Sequence, residues 1–228
     1  MDFDISPRAL ELSLRLEAFM ERYVLPYNAA WHQSVIRGIY PPIFLEDLKT
    51  LAQEEGLWNL FMPKAEAGGR GLANLDYAPL AEIMGRIPWS AEVFNCSAPD
   101  TGNMELLHSF ASPMQRERWL APLLAGEIRS AFAMTEPDVG SSDRTNLRAS
   151  VKRIGDQLVL NGRKWFITGA AHPRCEVLLV MCRNTEEPTH LSHEIVDFLH
   201  NNAHHQHSIV LVPIWHSPKP VDTFHSAV

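Results

Sequence analysis

The spacing of the apolar residues changes near Gly126, and this change limits the possible folds more than any other feature of the sequence. Before Gly126, leucines and aromatic residues recur every three or four positions, which is the period of an amphipathic helix. After it, short apolar runs alternate with polar residues and are separated by turn signals, which is typical of strands. The sequence therefore predicts an α+β chain, with an all-helical part over residues 1–127 and a β part over residues 128–214.

Helix signals divide the first part into four segments. Ser6 and Ser112 each stand before a proline, which is the arrangement of an N-cap followed by proline at the first helical position. Segments end at a proline or a glycine, and the stretch from Ala98 to Asn103 reads as a loop or as the first turn of a helix. The predicted helices run from Pro7 to Pro26, from Pro41 to Gly56, from Asn74 to Gly85 with Pro79 inside, and from Pro113 to Gly126.

Strand signals follow Gly126 in short runs. Asn161-Gly162 is the strongest short hairpin signal in the chain, so the runs on either side of it are predicted to be the two arms of one hairpin. These runs together predict an antiparallel, β-barrel-like domain. The predicted strands are Ser130–Met134, Leu147–Val151, Leu158–Leu160, Arg163–Thr168, Val177–Met181 and Ile209–Val212.

A polar segment over residues 183–208 separates the last two predicted strands. It is rich in asparagine and histidine, and a zinc site is the alternative that its histidines raise. No cysteine or paired carboxylate accompanies them at ligand spacing, so we expect an exposed insertion without a metal. Residues 215–228 show no apolar period and are expected to form an irregular tail. The histidines are His190, His193, His200, His204, His205 and His207.

Composition excludes several classes of protein. The chain has 228 residues, of which 46% are hydrophobic and 21% charged, as in ordinary globular proteins. A net charge of −7 argues against a protein that binds nucleic acid. The longest apolar run, Val177–Cys182, is far shorter than the ~20 residues that cross a bilayer, and no signal peptide is visible. Three cysteines at no redox or metal spacing predict reduced thiols.

The first chemically informative segment runs from Phe132 to Asp143. A strand is predicted to end at Thr135, a proline follows Glu136, and Gly140 is expected to allow a conformation that a side chain would forbid. Free backbone N–H groups and several hydroxyls then lie in one turn, which suits a polar, partly anionic ligand. A turn rich in serine and glycine is also common for structural reasons alone.

The second segment runs from Asn161 to Gly169 and carries two adjacent aromatic residues and a threonine. On local grounds it is more typical of an aromatic ladder in a β core than of a binding site. Together, however, the two segments resemble the TEPxxGS and NGxKxxIT pair of the acyl-CoA dehydrogenase family. Residues 55–61 also resemble the end of a helix in that family's N-terminal domain, and residues 95–105 are similar to the branch that contains family members ten and eleven.

The resemblance implies a site for FAD and for acyl-CoA. Thr135 and the main chain of Phe132, Ala133 and Met134 are then expected on the pyrimidine side of the flavin, and Thr168 near N5. Phe166 and Ile167 are expected to cover the ring, and Gly140 and Ser141 to approach the cofactor. Two departures from the family pattern affect these assignments: Phe166 stands where tryptophan is usual, directly after Trp165, and the doubled Ser141-Ser142 leaves open which serine meets the substrate.

The resemblance further implies α,β-dehydrogenation of acyl-CoA thioesters in fatty-acid oxidation, with an electron-transfer flavoprotein as acceptor and a homo-oligomeric enzyme. The family's catalytic base is a glutamate in a C-terminal helical bundle, so we expect no catalytic residue in this chain, which is predicted to lack that bundle. A non-catalytic flavin-binding fragment, an acyl-CoA oxidase and a flavin monooxygenase remain alternatives. A bacterial source implies the cytoplasm; a fragment of a eukaryotic protein implies a mitochondrion or a peroxisome.

Overall fold

The computed structural model describes residues 4–63, 68–154, 157–184, 191–199 and 208–213. The chain divides into two compact units, residues 1–101 and residues 102–228, and each is described by itself below. Within the described ranges, no helix has both the length and the apolar character that crossing a membrane requires.

The first unit is helical, as the sequence predicts. Ser6 caps the first helix, because its Oγ accepts a hydrogen bond of 3.1 Å from the backbone N–H of Ala9. The apolar stripe of that helix, including Leu12, Leu16 and Phe19, is buried. The residues described before position 100 include four α-helices: α1 (Pro7–Phe19), α2 (Asn28–Ile36), α3 (Phe44–Glu54) and α4 (Asn74–Gly85).

Prolines end helices less strictly than the sequence suggests. The predicted stop at Pro26 is wrong, because a π-helical turn (Met20–Val24) and a 3-10 turn (Leu25–Tyr27) continue the helical path into α2. Pro26 lies in the first positions of its short turn, where its missing N–H removes no hydrogen bond. Pro79 lies inside α4, whose buried Leu80, Ile83 and Met84 supply the packing that holds it.

The core of the first unit contains one buried ion pair among its apolar side chains. Lys49 Nζ lies 3.1 Å from an oxygen of Glu92, and the Tyr40 hydroxyl donates a hydrogen bond of 2.9 Å to the other oxygen. Burial also raises the pKa of the Cys96 thiol to about 11, so this cysteine is an unreactive core residue. The largest fully buried apolar side chains here are Leu16, Phe19, Leu45, Leu57, Leu60, Met62, Leu80, Met84 and Phe94.

Helix α5 (Asp100–Phe110) contains the division between the two units, and it shows that Ala98–Asn103 leads into a helix. The helix predicted from Pro113 to Gly126 consists of three consecutive helical segments: α6 (Pro113–Gln115), a π-helical turn (Arg116–Leu120) and α7 (Ala121–Ala125). Ser112 and Gln115 form a capping box at its start, and Gly126 ends it with a φ of 75°. Helix gives way to strand between Ala125 and Arg129. The predicted domain limits at residues 127 and 214 stay a prediction.

The described part of the second unit contains six strands: β1 (Arg129–Ala133), β2 (Ser150–Ile154), β3 (Gln157–Asn161), β4 (Cys175–Asn184), β5 (Leu191–Leu199) and β6 (Ser208–Pro213). They form one sheet in the order β3-β2-β4-β5-β6, and β1 pairs with β4. The expectation of an antiparallel, barrel-like domain is wrong, because β1 and β2 both run parallel to β4 and the sheet is mixed. A parallel pair needs a long connection, and the chain between β1 and β4 supplies one.

The predicted hairpin at Asn161-Gly162 is also wrong. The antiparallel partner of β3 is β2, and residues 163–168 form no strand. Gly162 is required for another reason: a Cβ at this position would lie 2.5 Å from the Cβ of Ala149. An Asn-Gly pair thus marks a place where two backbone segments meet closely, which local turn statistics do not distinguish from a hairpin.

Part of the polar segment is a strand and not the expected loop. β5 lies between β4 and β6 and is antiparallel to both. Its second half, from Ile195 to Leu199, is rich in β-branched and aromatic residues, and pairing on both edges overrides the polar character of its neighbours. The remainder of the insertion, residues 185–190 and 200–207, and the predicted tail over residues 215–228 lie outside the described residues.

Candidate functional site

The two segments that the sequence singles out meet beyond the end of β1. The backbone N–H of Trp165 donates a hydrogen bond of 3.1 Å to the carbonyl oxygen of Thr135. One residue earlier on each segment, Lys164 Nζ donates a hydrogen bond of 2.8 Å to the carbonyl oxygen of Met134. We call residues 134–143 the first loop and residues 162–169 the second loop. Their contact forms the candidate site.

Glu136 lies at the centre of this contact, and its side chain is only 4% exposed. One of its carboxylate oxygens lies 2.9 Å from Lys164 Nζ and accepts a hydrogen bond of 2.9 Å from the N–H of Ala149. The other accepts a hydrogen bond of 2.7 Å from the N–H of Arg148. Three donors thus surround one buried carboxylate, which connects both loops to the residues just before β2.

The environment of Glu136 fixes its charge. Burial on its own would raise the pKa of this carboxyl group, but the hydrogen bond from Lys164 and those from the backbone of Arg148 and Ala149 outweigh it and lower the pKa. Glu136 is therefore ionised at neutral pH, with each oxygen already accepting hydrogen bonds. A carboxylate held in this way is poorly suited to accept a proton from a substrate.

The two serines of the first loop have different surroundings. Ser141 is buried, and its Oγ accepts a hydrogen bond of 2.8 Å from the N–H of Glu136 and donates one of 3.3 Å to the carbonyl oxygen of Val139. Its single hydroxyl proton is thus used inside the loop. Ser142 is exposed, and its hydroxyl has none of these internal contacts.

The other predicted side chains face outward at the same junction. Thr135 and Thr168 are both exposed, one on each loop. The rings of Trp165 and Phe166 lie 4.6 Å apart, and Phe166 is 82% exposed. Exposed aromatic side chains next to hydroxyl groups can receive a planar polar ring by stacking and hydrogen bonding.

The backbone of Phe166 is strained. Its φ is 50°, in the left-handed region that bulky residues seldom occupy. Such conformations cost ~1–3 kcal/mol and persist only where the surroundings impose them; they are frequent at functional sites. Here the turn is completed by Gly169, whose φ is 85°.

Three predicted cofactor contacts lie in the last two residues of β1 and the residue directly after it, and they can contribute only in part. Ala133 is buried and pairs with Val180 in β4, while Phe132 and Met134 are half-buried. Their main-chain groups, and not the Ala133 side chain, are what the site can use. Ile167 packs against the apolar cluster around Ala133, so it anchors the second loop to that cluster.

Gly140 does not have the conformation that the sequence led us to expect. Its φ lies outside the left-handed region, and a Cβ built on it would meet nothing within 4 Å. The expectation that only glycine fits its backbone is therefore wrong. The open space beside it leaves room for a ligand next to the exposed hydroxyl of Ser142.

Sequence reasoning missed Lys164 and the structural part played by Glu136. Both stand inside the two segments that were singled out, and they carry opposite charges. A charged residue in an otherwise apolar or hydroxyl-rich segment is a signal that it has a partner, but only the fold shows that these two are each other's partner. Among the described residues there is no group of three histidine, cysteine, aspartate or glutamate side chains that could hold a metal ion.

The donor set of the junction suits a flavin. It offers exposed hydroxyls on both loops, main-chain groups at the end of β1 and two exposed aromatic rings. A flavin needs hydrogen-bond partners along its pyrimidine edge and at N5, and an apolar or aromatic surface over the ring. The residues present therefore fit the cofactor.

Nearly the whole chain is similar in sequence to known proteins of one family. Residues 6–127 match the family "Acyl-CoA dehydrogenase, N-terminal domain" and residues 131–218 match "Acyl-CoA dehydrogenase, middle domain". FadE2 of Mycobacterium tuberculosis, named a probable acyl-CoA dehydrogenase, is 46% identical over 223 residues, which is 94% of this chain and 50% of FadE2. Acyl-CoA dehydrogenase family member 11 of Mus musculus is 41% identical over 219 residues, 93% of this chain and 26% of that protein.

Solved structures show the same similarity. A Mycobacterium abscessus structure that bears the acyl-CoA dehydrogenase name has a TM-score of 0.77 and 44% identity, over 92% of this chain and 51% of that one. The acyl-CoA dehydrogenase of Bacillus anthracis complexed with FAD shares the fold, with a TM-score of 0.64 and 24% identity, over 92% of this chain and 38% of that one. The chain thus spans about half the length of FadE2 and about a quarter of family member 11.

Proposed function

This chain belongs to the acyl-CoA dehydrogenase family, and from this premise we propose that it provides the FAD-holding part of an enzyme that oxidises acyl-CoA thioesters. The predicted resemblance is confirmed by matches to both the N-terminal and the middle domain of the family and by the similarity to family member 11. Membership implies an oxidoreductase that works with a flavin.

The observation that carries the proposal is the junction of the first and second loops. The hydrogen bond from Trp165 N–H to the Thr135 carbonyl brings together two segments that are distant in sequence. It leaves Thr135, Thr168 and Phe166 exposed around one junction. An exposed aromatic ring beside hydroxyl groups offers a surface that a planar polar ligand can cover by stacking and hydrogen bonding.

In the proposed complex, each loop holds one part of the isoalloxazine. Thr135 and the main chain of residues 132–134 bind the pyrimidine side, and Thr168 lies near N5. Phe166 and Ile167 shield the ring from water. Hydrogen-bond donors fixed in place before the reaction can stabilise negative charge on the ring without reorganising, which is a large contribution in many enzymes.

Bound FAD supplies the acceptor for the hydride that leaves the β-carbon, while a base removes the α-proton. Glu136 is not a suitable base, because it is buried and its oxygens already accept three hydrogen bonds. The family resemblance implies that the base is a glutamate of a C-terminal helical bundle, which would lie outside the described residues. Electrons would then pass to an electron-transfer flavoprotein, and the complete enzyme would be a homo-oligomer.

For contact with the substrate we favour Ser142 over Ser141. The Ser141 proton already has an acceptor inside the first loop, whereas Ser142 is exposed beside the open space at Gly140. Ser142→Ala should weaken acyl-CoA binding and leave thermal stability unchanged. Ser141→Ala should lower stability, because it removes the acceptor of a buried N–H. The opposite pattern would reverse the assignment.

Binding of FAD to the 228-residue chain is the direct test. We would titrate the apoprotein with FAD and follow the quenching of flavin fluorescence. Saturable binding with a stoichiometry of one, unaffected by excess nicotinamide nucleotides, would support the proposal. Absence of binding at concentrations where the circular dichroism spectrum shows a folded protein would contradict it.

The reaction class is tested separately. Flavin-loaded protein is mixed anaerobically with short, medium and long acyl-CoA thioesters, with and without a general base such as formate or azide. Reduction of the flavin by acyl-CoA would support dehydrogenation, and peroxide formation in air would indicate an oxidase instead.

A further inference from the structure

We propose that Glu136 and Lys164 form a positioning ion pair that fixes the first and second loops in a single register and thereby determines the affinity for FAD. The inference rests on the proposed function only for its consequence, the affinity. The register itself is a property of the protein without a ligand. Neither residue is proposed to touch the reacting atoms.

The pair lies directly behind the proposed contacts. Glu136 follows Thr135 in the first loop, and Lys164 precedes Trp165 in the second. Three contacts therefore cross the junction in parallel: Lys164 Nζ to the Met134 carbonyl at 2.8 Å, Lys164 Nζ to Glu136 at 2.9 Å, and Trp165 N–H to the Thr135 carbonyl at 3.1 Å. Of these three contacts, only the hydrogen bond from the Trp165 N–H does not involve the charged side chains of Glu136 and Lys164.

Burial gives the pair its selectivity. The side chains of Lys164 and Glu136 are 13% and 4% exposed. A buried ion pair adds little net stability compared with an apolar pair, because both charges lose their hydration. A register that separated the charges would, however, leave each one buried without an opposite charge beside it, at a far larger cost. Such a pair is therefore better suited to selecting one arrangement than to strengthening the fold.

The further contacts of Glu136 extend the register to the sheet. The N–H groups of Arg148 and Ala149 donate to its two oxygens, just before β2 begins. Gly162, in the second loop, lies against Ala149 at the same place. The carboxylate thus fixes the two loops to one another and to a rigid strand. Binding residues whose positions are fixed by further hydrogen bonds of this kind hold a ligand more precisely than residues on unsupported loops do.

The experiment compares Lys164→Met with a matched buried pair elsewhere. Lys49 and Glu92 form an ion pair of nearly the same length, 3.1 Å, in the first unit. Lys49→Met should destabilise the protein to a similar degree without affecting the loops. For each variant we would measure thermal stability, the hydrogen exchange rate of the Trp165 amide and the Kd for FAD.

We expect Lys164→Met to raise the Trp165 exchange rate and the Kd for FAD by about tenfold or more, the order associated with losing one hydrogen bond to a charged group. Lys164→Arg should recover most of both effects, and Lys49→Met should show neither. If Lys164→Met does not fold, Lys164→Gln, which keeps a donor without the charge, is measured in its place with the same expectation.

The two proposals fail in different ways. If the wild-type chain binds no FAD, the proposed function is wrong, and the exchange rate of Trp165 still decides whether the pair sets the register. If FAD binds to the wild type but Lys164→Met changes neither the exchange rate nor the Kd beyond the changes seen in Lys49→Met, the ion pair has only a structural role and the inference is overturned.

Discussion

Replacing Gly162 by alanine tests the closest backbone approach in the candidate site. A Cβ at position 162 would lie 2.5 Å from the Cβ and 2.7 Å from the Cα of Ala149. Non-bonded carbon atoms prefer ~3.5–4.0 Å, so the new methyl group would be about 1 Å too close. A flexible side chain could move aside, but here the obstacle includes backbone.

Ala149 cannot easily retreat. It is buried in a cluster with Val151 and Cys182, and its N–H donates a hydrogen bond of 2.9 Å to Glu136. Overpacking of this kind costs ~1–3 kcal/mol. For a protein of 150–250 residues each kcal/mol corresponds to about 2–4 °C in Tm, so we expect Gly162→Ala to lower Tm by roughly 2–12 °C.

Gly140→Ala is the matched control. It lies in the first loop, its φ is outside the left-handed region, and nothing lies within 4 Å of the added Cβ. Thermal unfolding of both variants, followed by circular dichroism, should show a lower Tm for Gly162→Ala only. Equal Tm values for the two variants would refute the argument that the approach to Ala149 requires glycine.

Three further predictions concern the junction of the loops. Thr135→Val and Thr168→Val should each weaken FAD binding by ~1 kcal/mol, about fivefold in Kd, measured by fluorescence titration. The control is Thr50→Val, on an exposed helix face, which should leave the Kd unchanged. An unchanged Kd in both loop variants would show that these threonines do not contact FAD. Phe166→Asn should raise the free energy of unfolding by about 1 kcal/mol, because asparagine tolerates a φ of 50°. The same substitution should lower the affinity for FAD. A loss of stability in thermal melts would contradict the strain argument. The folded-state pKa of Glu136 lies below its ordinary value of 4.5, so its contribution to stability is present above that value and is lost as the pH falls through the folded pKa. Acid unfolding of Glu136→Gln should lack this part of the pH dependence. Identical acid-unfolding profiles for the wild type and Glu136→Gln would contradict this prediction.

Local sequence signals determined where α1, α4 and α6 begin and which runs form β1, β3, β4 and β6. A cap such as Ser6 is satisfied by a residue three positions away, and the stripe of α1 repeats within a few turns, so a short window contains the physical cause. The two loops were recognised for the same reason: each is a contiguous segment. Their resemblance to one family was confirmed.

Only the tertiary structure decided how these segments combine. The parallel pairing of β1 with β4, the strand β5 inside a polar segment and the contact of Gly162 with Ala149 all depend on residues far apart in the chain. The pairing of Glu136 with Lys164 has the same origin. A local pattern records the energy of neighbouring residues, whereas strand partners and buried charge pairs are selected by the energy of the whole fold, so no short window contains their cause.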